Sequence, residues 1–304
     1  IRAGEPRSYQ YMSVNWAGPA IMRYGTPAQK ADLLPRIAAG TTVFCQGFSE
    51  PNAGSDLAAL RCAARRDGDG WVIEGQKIWT SAASFADVCI LLARTGEERR
   101  AITMFLVPMD APGIEVRVIP SKMGARALHE VFLHEVRVSQ ATVLGEVDRG
   151  GEAVGQIMHN ERIGIPRYVI SLLALDRAVA RLEAAGSFDG PVRAQAARAR
   201  AMCEAARLLC YRIIDARVKD LPPSADTSLA RITLVNADRL VSEFIGDHLM
   251  DVLLAGDAPV ICGAHRRPAA TGTASGAATG IASGTAEIQL DLIARNHLQL
   301  PRAK

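Results

Sequence analysis

What this sequence lacks narrows it first. None of its six cysteines stands in a Cys-x-x-Cys pair, and their scatter along the chain suggests neither a zinc ribbon nor a small disulfide scaffold. The histidines, His129, His134, His159, His248, His265 and His297, show no His-x-His or His-x-x-x-His spacing, so no metal site is expected. No Gly-x-Ser-x-Gly or Walker sequence appears, and the absence of a Rossmann fingerprint argues against nicotinamide. No apolar run approaches the roughly 20 residues that cross a bilayer, so no membrane span is expected. Lys+Arg, at 35, nearly balance Asp+Glu, at 32, and no basic block stands out, which argues against nucleic acid. No secretory signal is visible at the start, and reduced cysteines in a cytoplasmic protein are the expectation.

What is present describes a folded chain. Hydrophobic residues are 49% and charged residues 22% of 304, values of a globular protein with room for one large or two modest domains. The small excess of positive charge, +3, suits a phosphate-bearing ligand without requiring one.

Three zones follow one another. Residues 1–42 look helical: Thr26 is placed to cap a helix that Pro27 opens, and Pro35 and Gly40 mark its end region. Residues 43–148 change character. Asp67-Gly68-Asp69-Gly70 before Trp71-Val72-Ile73 is a hairpin cue. Val88–Ala93 and Ala101–Val107 are apolar runs, and Ile114, Val116 and Val118 alternate with polar residues. An antiparallel β-domain is expected. Residues 149–304 return to helices. Val192, Ala196, Ala199, Cys203, Ala206, Cys210 and Ile213 recur at steps of four and three, the seam of a helical bundle. Leu234, Ala237, Val241, Ile245 and Val252 form one face of a further helix, with Ser228 as its cap. Pro166 is expected to kink the first helix of this zone, and Ala270–Gly284 reads as a loop.

Three stretches offer chemistry. Phe48-Ser49-Glu50-Pro51-Asn52-Ala53-Gly54-Ser55-Asp56 is a tight loop that offers amides and hydroxyls to a planar ligand. Gly75-Gln76-Lys77-Ile78-Trp79-Thr80-Ser81 pairs an indole that can stack with two hydroxyls. Ser283-Gly284-Thr285-Ala286-Glu287-Ile288-Gln289 opens the last helix, where free amides can hold a polar edge. Taken singly, each also fits a plainer description: a surface turn, a core Trp, an ordinary capped helix.

Together, in this order and spacing, the three resemble the acyl-CoA dehydrogenase family of flavoproteins, over nearly the whole chain from Tyr24-Gly25-Thr26 to Leu300-Pro301-Arg302. The likeness is greatest to the bacterial branch acting on branched, aromatic or steroid-derived acyl-CoAs. The resemblance implies an α+β fold: N-terminal helices, a middle β-domain and a C-terminal bundle, with most of the N-terminal helical domain missing from this sequence. It implies FAD between β-domain and bundle. It also implies an oxidoreductase of lipid metabolism, of β-oxidation type, that converts an acyl-CoA thioester to a trans-2-enoyl-CoA. In such enzymes a carboxylate takes the α-proton, the β-hydride passes to flavin N5, and an electron-transfer flavoprotein is the acceptor. Hydrogen bonds to the thioester carbonyl stabilise the developing enolate.

Carried over by position, the resemblance places Phe48, Ser49, Gly54 and Ser55 along the flavin and the thioester end of the substrate. Trp79, Thr80 and Ser81 meet the isoalloxazine, with Ser81 near N5. Thr285 and Glu287 contact the cofactor, while Ser283 and Gly284 lie on the substrate side. Many members carry the catalytic Glu at the position of Ser283, which cannot accept the proton. Others place it just before an Arg on the first helix of the bundle, where this chain has Asn160-Glu161-Arg162. Glu161 is therefore the expected base and Arg162 a structural or substrate-side contact. Two departures remain. The family's Arg-x-x-Phe-Gly is replaced by Ala185-Gly186-Ser187-Phe188-Asp189-Gly190, and its Gly-rich ADP segment by Ala255-Gly256-Asp257-Ala258-Pro259. These suit a mixed oligomer in which a related subunit supplies the missing contacts. They equally suit a non-catalytic, structural subunit, and the fold also serves flavin oxidases and monooxygenases. A homo-oligomer, dimer or tetramer, is the other expected assembly.

Overall fold

The computed structural model describes residues 10–120, 128–161, 165–221, 224–254 and 285–301, without the side chains of 11, 156–161, 165–167 and 252–254. They form two compact units, one reaching Asn160 and the other from Glu161 onward.

The first unit begins with α1 (Gln10–Met12), a π-helical stretch (Ser13–Ala17), α2 (Gly18–Tyr24) and α3 (Pro27–Ala38). The start expected at Thr26 is present as a reciprocal capping box. The Thr26 hydroxyl accepts from the Gln29 amide at 3.2 Å, and the Gln29 side chain accepts from the Thr26 amide at 2.9 Å. Pro35 is tolerated inside α3, and Gly40, at φ 70°, turns the chain out of it.

Seven strands follow: β1 (Phe44–Gly47), β2 (Ala63–Asp67), β3 (Gly70–Ser81), β4 (Val88–Arg94), β5 (Ile102–Pro108), β6 (Ile114–Ile119) and β7 (Leu128–Ser139). Their order is β1-β4-β2-β3-β7-β6, with β5 on β4. The expected hairpin closes with Asp67 opposite Gly70 and Gly68 at φ 60°. Most pairs are antiparallel as expected, but β1 pairs with β4 in parallel, and β2 meets β4 in parallel at one position. β1 and β4 are not consecutive in the chain, so no tight turn obliges them to run in opposite directions.

The two apolar runs are buried on both faces, which is why they lack alternation. Ile90, Leu92, Ile102, Met104 and Leu106 pack with Trp16, Ile21, Leu33 and Ile37 of the helices. Leu91, Ala93, Phe105 and Val107, on the opposite face, pack with Trp71, Ile73, Leu133 and Val136. α4 (Gly150–Glu161) contributes Ala153 and Val154 to the helix-side core.

The second unit contains α5 (Ile165–Ala184), α6 (Gly190–Val218), α7 (Asp226–Leu254) and α8 (Ala286–Asn296). The seam is as expected: Ala196, Ala199, Cys203, Ala206, Cys210 and Ile213 are buried along α6, which Asp189 caps through the Val192 amide. The kink expected at Pro166 turns on residues 162–164, which lie outside the described residues. One local expectation is corrected. Ser228 is a buried residue within α7, which already starts at Asp226; the cap is displaced because Ser224 Oγ accepts from the Asp226 amide. Leu234, Ala237, Val241 and Ile245 form the buried face of α7 as expected. The Val252 side chain and the Ala270–Gly284 reading lie outside the described residues. Among the described residues no helix is long and apolar enough to cross a membrane, and no cluster of His, Cys, Asp and Glu has metal-site geometry.

Candidate functional site

The first unit brings two of the three motifs into contact. β1 ends at Gly47, where an added Cβ would lie 2.8 Å from Cys89 Sγ and from Leu91 Cδ1, and 3.4 Å from Lys77 Cγ. Glycine is thus the residue that leaves room for the Cys89 and Leu91 side chains of β4 against β1, with Lys77 at ordinary contact distance. The loop then runs antiparallel to itself through a turn: Glu50 N donates to Ala53 O at 2.8 Å, and Ala53 N to Glu50 O at 3.1 Å. Phe48 is buried and Ser49 half-buried, whereas Gly54 and Ser55 are exposed.

An ion pair fastens this loop to β3. Lys77 is fully buried, and its Nζ donates to Glu50 Oε1 at 2.7 Å and to the Phe48 carbonyl at 3.4 Å. Glu50 is used on both oxygens, for the Arg61 amide donates to Oε2 at 2.6 Å and the Cys62 amide to Oε1 at 2.9 Å. A buried charge pair is tolerated where its remaining hydrogen-bonding positions are filled in this way. Ile78 N adds a main-chain bond to Ser49 O at 2.9 Å. Five hydrogen bonds therefore hold the start of the loop and set Ser49 beside the strand that carries Trp79. Burial raises the neighbouring Cys62 thiol to about 11, so it is a neutral packing group here. Gly75, at φ 148°, leaves no room for a side chain, since a Cβ would meet Cys62 Cα at 2.7 Å.

Just past Lys77 the ladder with β7 slips. Lys77 faces Val131 and Thr80 faces His129, three steps on β3 against two on β7, which is a β-bulge. Within it Trp79 takes φ 62°, a left-handed conformation uncommon for a bulky residue and typical of functional positions. The result is an indole that is 56% exposed and a neighbouring exposed Ser81. Thr80 points the other way: it is buried, and its hydroxyl has no partner among the described residues. The His129 ring donates from Nδ1 to the Thr80 carbonyl at 3.0 Å. Sequence reading passed over Glu50 and Lys77 as contributors and discarded His129 with the other histidines. A Glu and a Lys at matched places in the two motifs were the available signal, while His129 carried none, because its role depends on cross-strand register.

The third motif belongs to the second unit. Thr285 caps α8, its hydroxyl accepting from the Ile288 amide at 3.3 Å. Hydrogen bonds from its own backbone amide and from Thr285 hold the exposed Glu287 carboxyl below the usual range. Gln289 is fully buried with neither side-chain polar atom partnered among the described residues. Ser283, Gly284 and Arg162 lie outside the described residues; Glu161 ends α4, and its side chain is likewise outside them.

A large exposed indole beside hydroxyl and amide donors fits a flat ring system with polar edges, because a stacked ring would cover the apolar surface and receive the hydrogen bonds. Comparison with known proteins points the same way. Residues 45–138 match the family model for the acyl-CoA dehydrogenase middle domain, and residues 148–298 the model for its C-terminal domain. The acyl-CoA dehydrogenase IpdE1 of Mycobacterium tuberculosis is 43% identical over 147 residues, 47% of this chain and 38% of that protein. The acyl-CoA dehydrogenase FadE26 of the same organism is 35% identical over 264 residues, 80% of this chain and 65% of that protein. The chain thus spans less than two thirds of the length of these curated relatives. Among solved structures, the ChsE4-ChsE5 complex from Mycobacterium tuberculosis has a TM-score of 0.82 at 31% identity, covering 97% of this chain and 78% of that one. The Tcur3481-Tcur3483 steroid ACAD gives a TM-score of 0.83 at 30% identity, with 97% and 77% covered.

Proposed function

This chain belongs to the acyl-CoA dehydrogenase family, and from that premise we propose that it binds FAD and dehydrogenates an acyl-CoA thioester to the trans-2-enoyl-CoA. The observation that carries the reading is the ledge of Trp79 and Ser81, pushed outward by the bulge and fastened by Lys77–Glu50 to the loop that presents Ser49, Gly54 and Ser55. FAD supplies a hydride acceptor when bound. The residues of the chain do the rest. Trp79 covers one side of the ring and Ser81 donates to its edge. Thr80, with its side chain turned inward, serves through its backbone. Phe48, Ser49, Gly54 and Ser55 border the ring and the thioester, and Thr285 and Glu287 border the cofactor. Glu161 takes the α-proton, Arg162 orients it or the substrate, and Ser283 and Gly284 line the acyl side. A thioester α-proton is far less acidic than a carboxylic acid, so hydrogen bonds to the thioester carbonyl must share the work.

The family-model boundaries support a division near residues 42 and 148 into N-terminal helices, β-domain and bundle. Cytoplasmic β-oxidation is the proposed setting, with an electron-transfer flavoprotein as acceptor; the free thiols of the five described cysteines suit it. Relatives named as a steroid ACAD and as a two-chain complex support a bulky acyl group and a related partner subunit over a homo-oligomer.

The test is purification with any co-purifying subunit, followed by acyl-CoA turnover with a dye acceptor. Glu161→Gln is expected to lower kcat about a thousandfold or more while acyl-CoA still binds. Full turnover by that variant would remove Glu161 as the base. A second reading, a non-catalytic structural subunit, is favoured by Ser283 in place of the family's usual Glu. Absence of flavin from the isolated chain, with turnover only in a partner, would establish it. Oxygen consumption without an added acceptor would instead mark an oxidase or monooxygenase.

A further inference from the structure

Trp79 occupies a backbone conformation that a bulky side chain does not adopt unless its surroundings impose it. On its N-terminal side the constraint is visible: the Ile78 amide is tied to Ser49 O, and Lys77 is locked to Glu50. On its C-terminal side the Thr80 carbonyl, one residue past the strained position, is met by the His129 ring at 3.0 Å. We propose that His129 is a positioning residue, whose Nδ1–H holds the Thr80 carbonyl and thereby fixes the bulge in the form that turns Trp79 and Ser81 outward together. This deepens the proposed function and rests on the reading that Trp79 and Ser81 face the flavin.

The chemistry of the contact assigns the working end of the ring. A carbonyl oxygen only accepts, so Nδ1 carries the proton. Among the described residues Nε2 is buried without a partner, so there the working contact of the ring is the one made by Nδ1. Thr80 and His129 are register partners on adjacent strands, which places the donor at the bulge itself. Ala82, also left-handed at φ 63°, follows Ser81 directly, so left-handed residues stand at 79 and 82 with the His129 contact to Thr80 between them.

Three substitutions separate positioning from space filling. The amide nitrogen of asparagine overlays the position of Nδ1, that of glutamine overlays Nε2, and leucine keeps apolar volume with no donor. Positioning through Nδ1 ranks His129→Asn above both His129→Gln and His129→Leu; space filling ranks leucine first. Two readouts serve. Trp16 and Trp71 are buried, so acrylamide quenching of tryptophan emission reports mainly on exposed Trp79, with Trp79→Phe as control. FAD titration onto the deflavinated protein, together with any co-purifying subunit, gives the affinity.

His129→Asn is expected to match the parent in quenching and to bind FAD within about twofold. His129→Leu and His129→Gln are expected to change the quenching and to weaken FAD about tenfold, with KM for acyl-CoA little changed. Retention by leucine, retention by glutamine, or equality of all three with the parent overturns the proposal. If leucine prevents folding, judged by thermal unfolding, the asparagine–glutamine comparison decides. If the parent binds no FAD, the proposed function fails, and the quenching series still judges His129.

Discussion

At the scale of the residue, the Lys77–Glu50 pair shows why a motif's charged letters differ in meaning from its hydroxyls. Lys77 is wholly buried, and Glu50 serves three donors from two directions. Removing one partner strands the other charge. Lys77→Met is therefore expected to cost about 3–5 kcal/mol in urea unfolding, and Glu50→Gln/Lys77→Met clearly less than the sum of its singles. A single-variant loss below about 1 kcal/mol, or strict additivity, would show the pair to be a bystander. The identity of both residues could be read from the sequence. Their contact could not, because the two residues lie 27 apart in the chain and meet only when the loop folds against β3. The same limit hid His129, whose value comes from facing Thr80 across a slipped register.

At the scale of the element, α3 is tied down at its start. Thr26 and Gln29 form the capping box, and the Gln29 side chain continues outward to donate to the Ala141 and Val143 carbonyls at 2.8 and 2.9 Å. Thr26→Ala should cost about 1 kcal/mol, the usual worth of a cap. Gln29→Ala should cost more, about 2 kcal/mol, because it also leaves two carbonyls without donors. Equal losses in chemical denaturation would mean that the outer contacts contribute nothing. The helix start was legible from Thr26-Pro27, since capping is local chemistry. The outward reach of Gln29 spans 114 residues and was not.

At the scale of the whole molecule, both units carry cysteines whose thiols burial has pushed up: Cys62 to about 11 in the sheet unit, Cys203 and Cys210 to about 11 in the bundle. The folded state then holds these protons after the unfolded chain has released them near 9, so stability should fall as pH rises from about 9 to about 11. Below that window the thiols contribute no slope. Denaturant midpoints followed through it should show a shallower fall in Cys203→Val than in the parent; identical slopes would mean that Cys203 ionises alike in the folded and unfolded chain. What the sequence alone determined was the inventory and the periods: helical seams, the hairpin at Gly68, three motifs and the family that carries them, all of which depend on residues near one another in the chain. What only the tertiary structure decided was which strand lies beside which, the parallel entry of β1, the bulge at Trp79, and the buried pair and imidazole that hold it. These are contacts between distant segments, and no local periodicity records them, because their energy exists only once the intervening chain has folded.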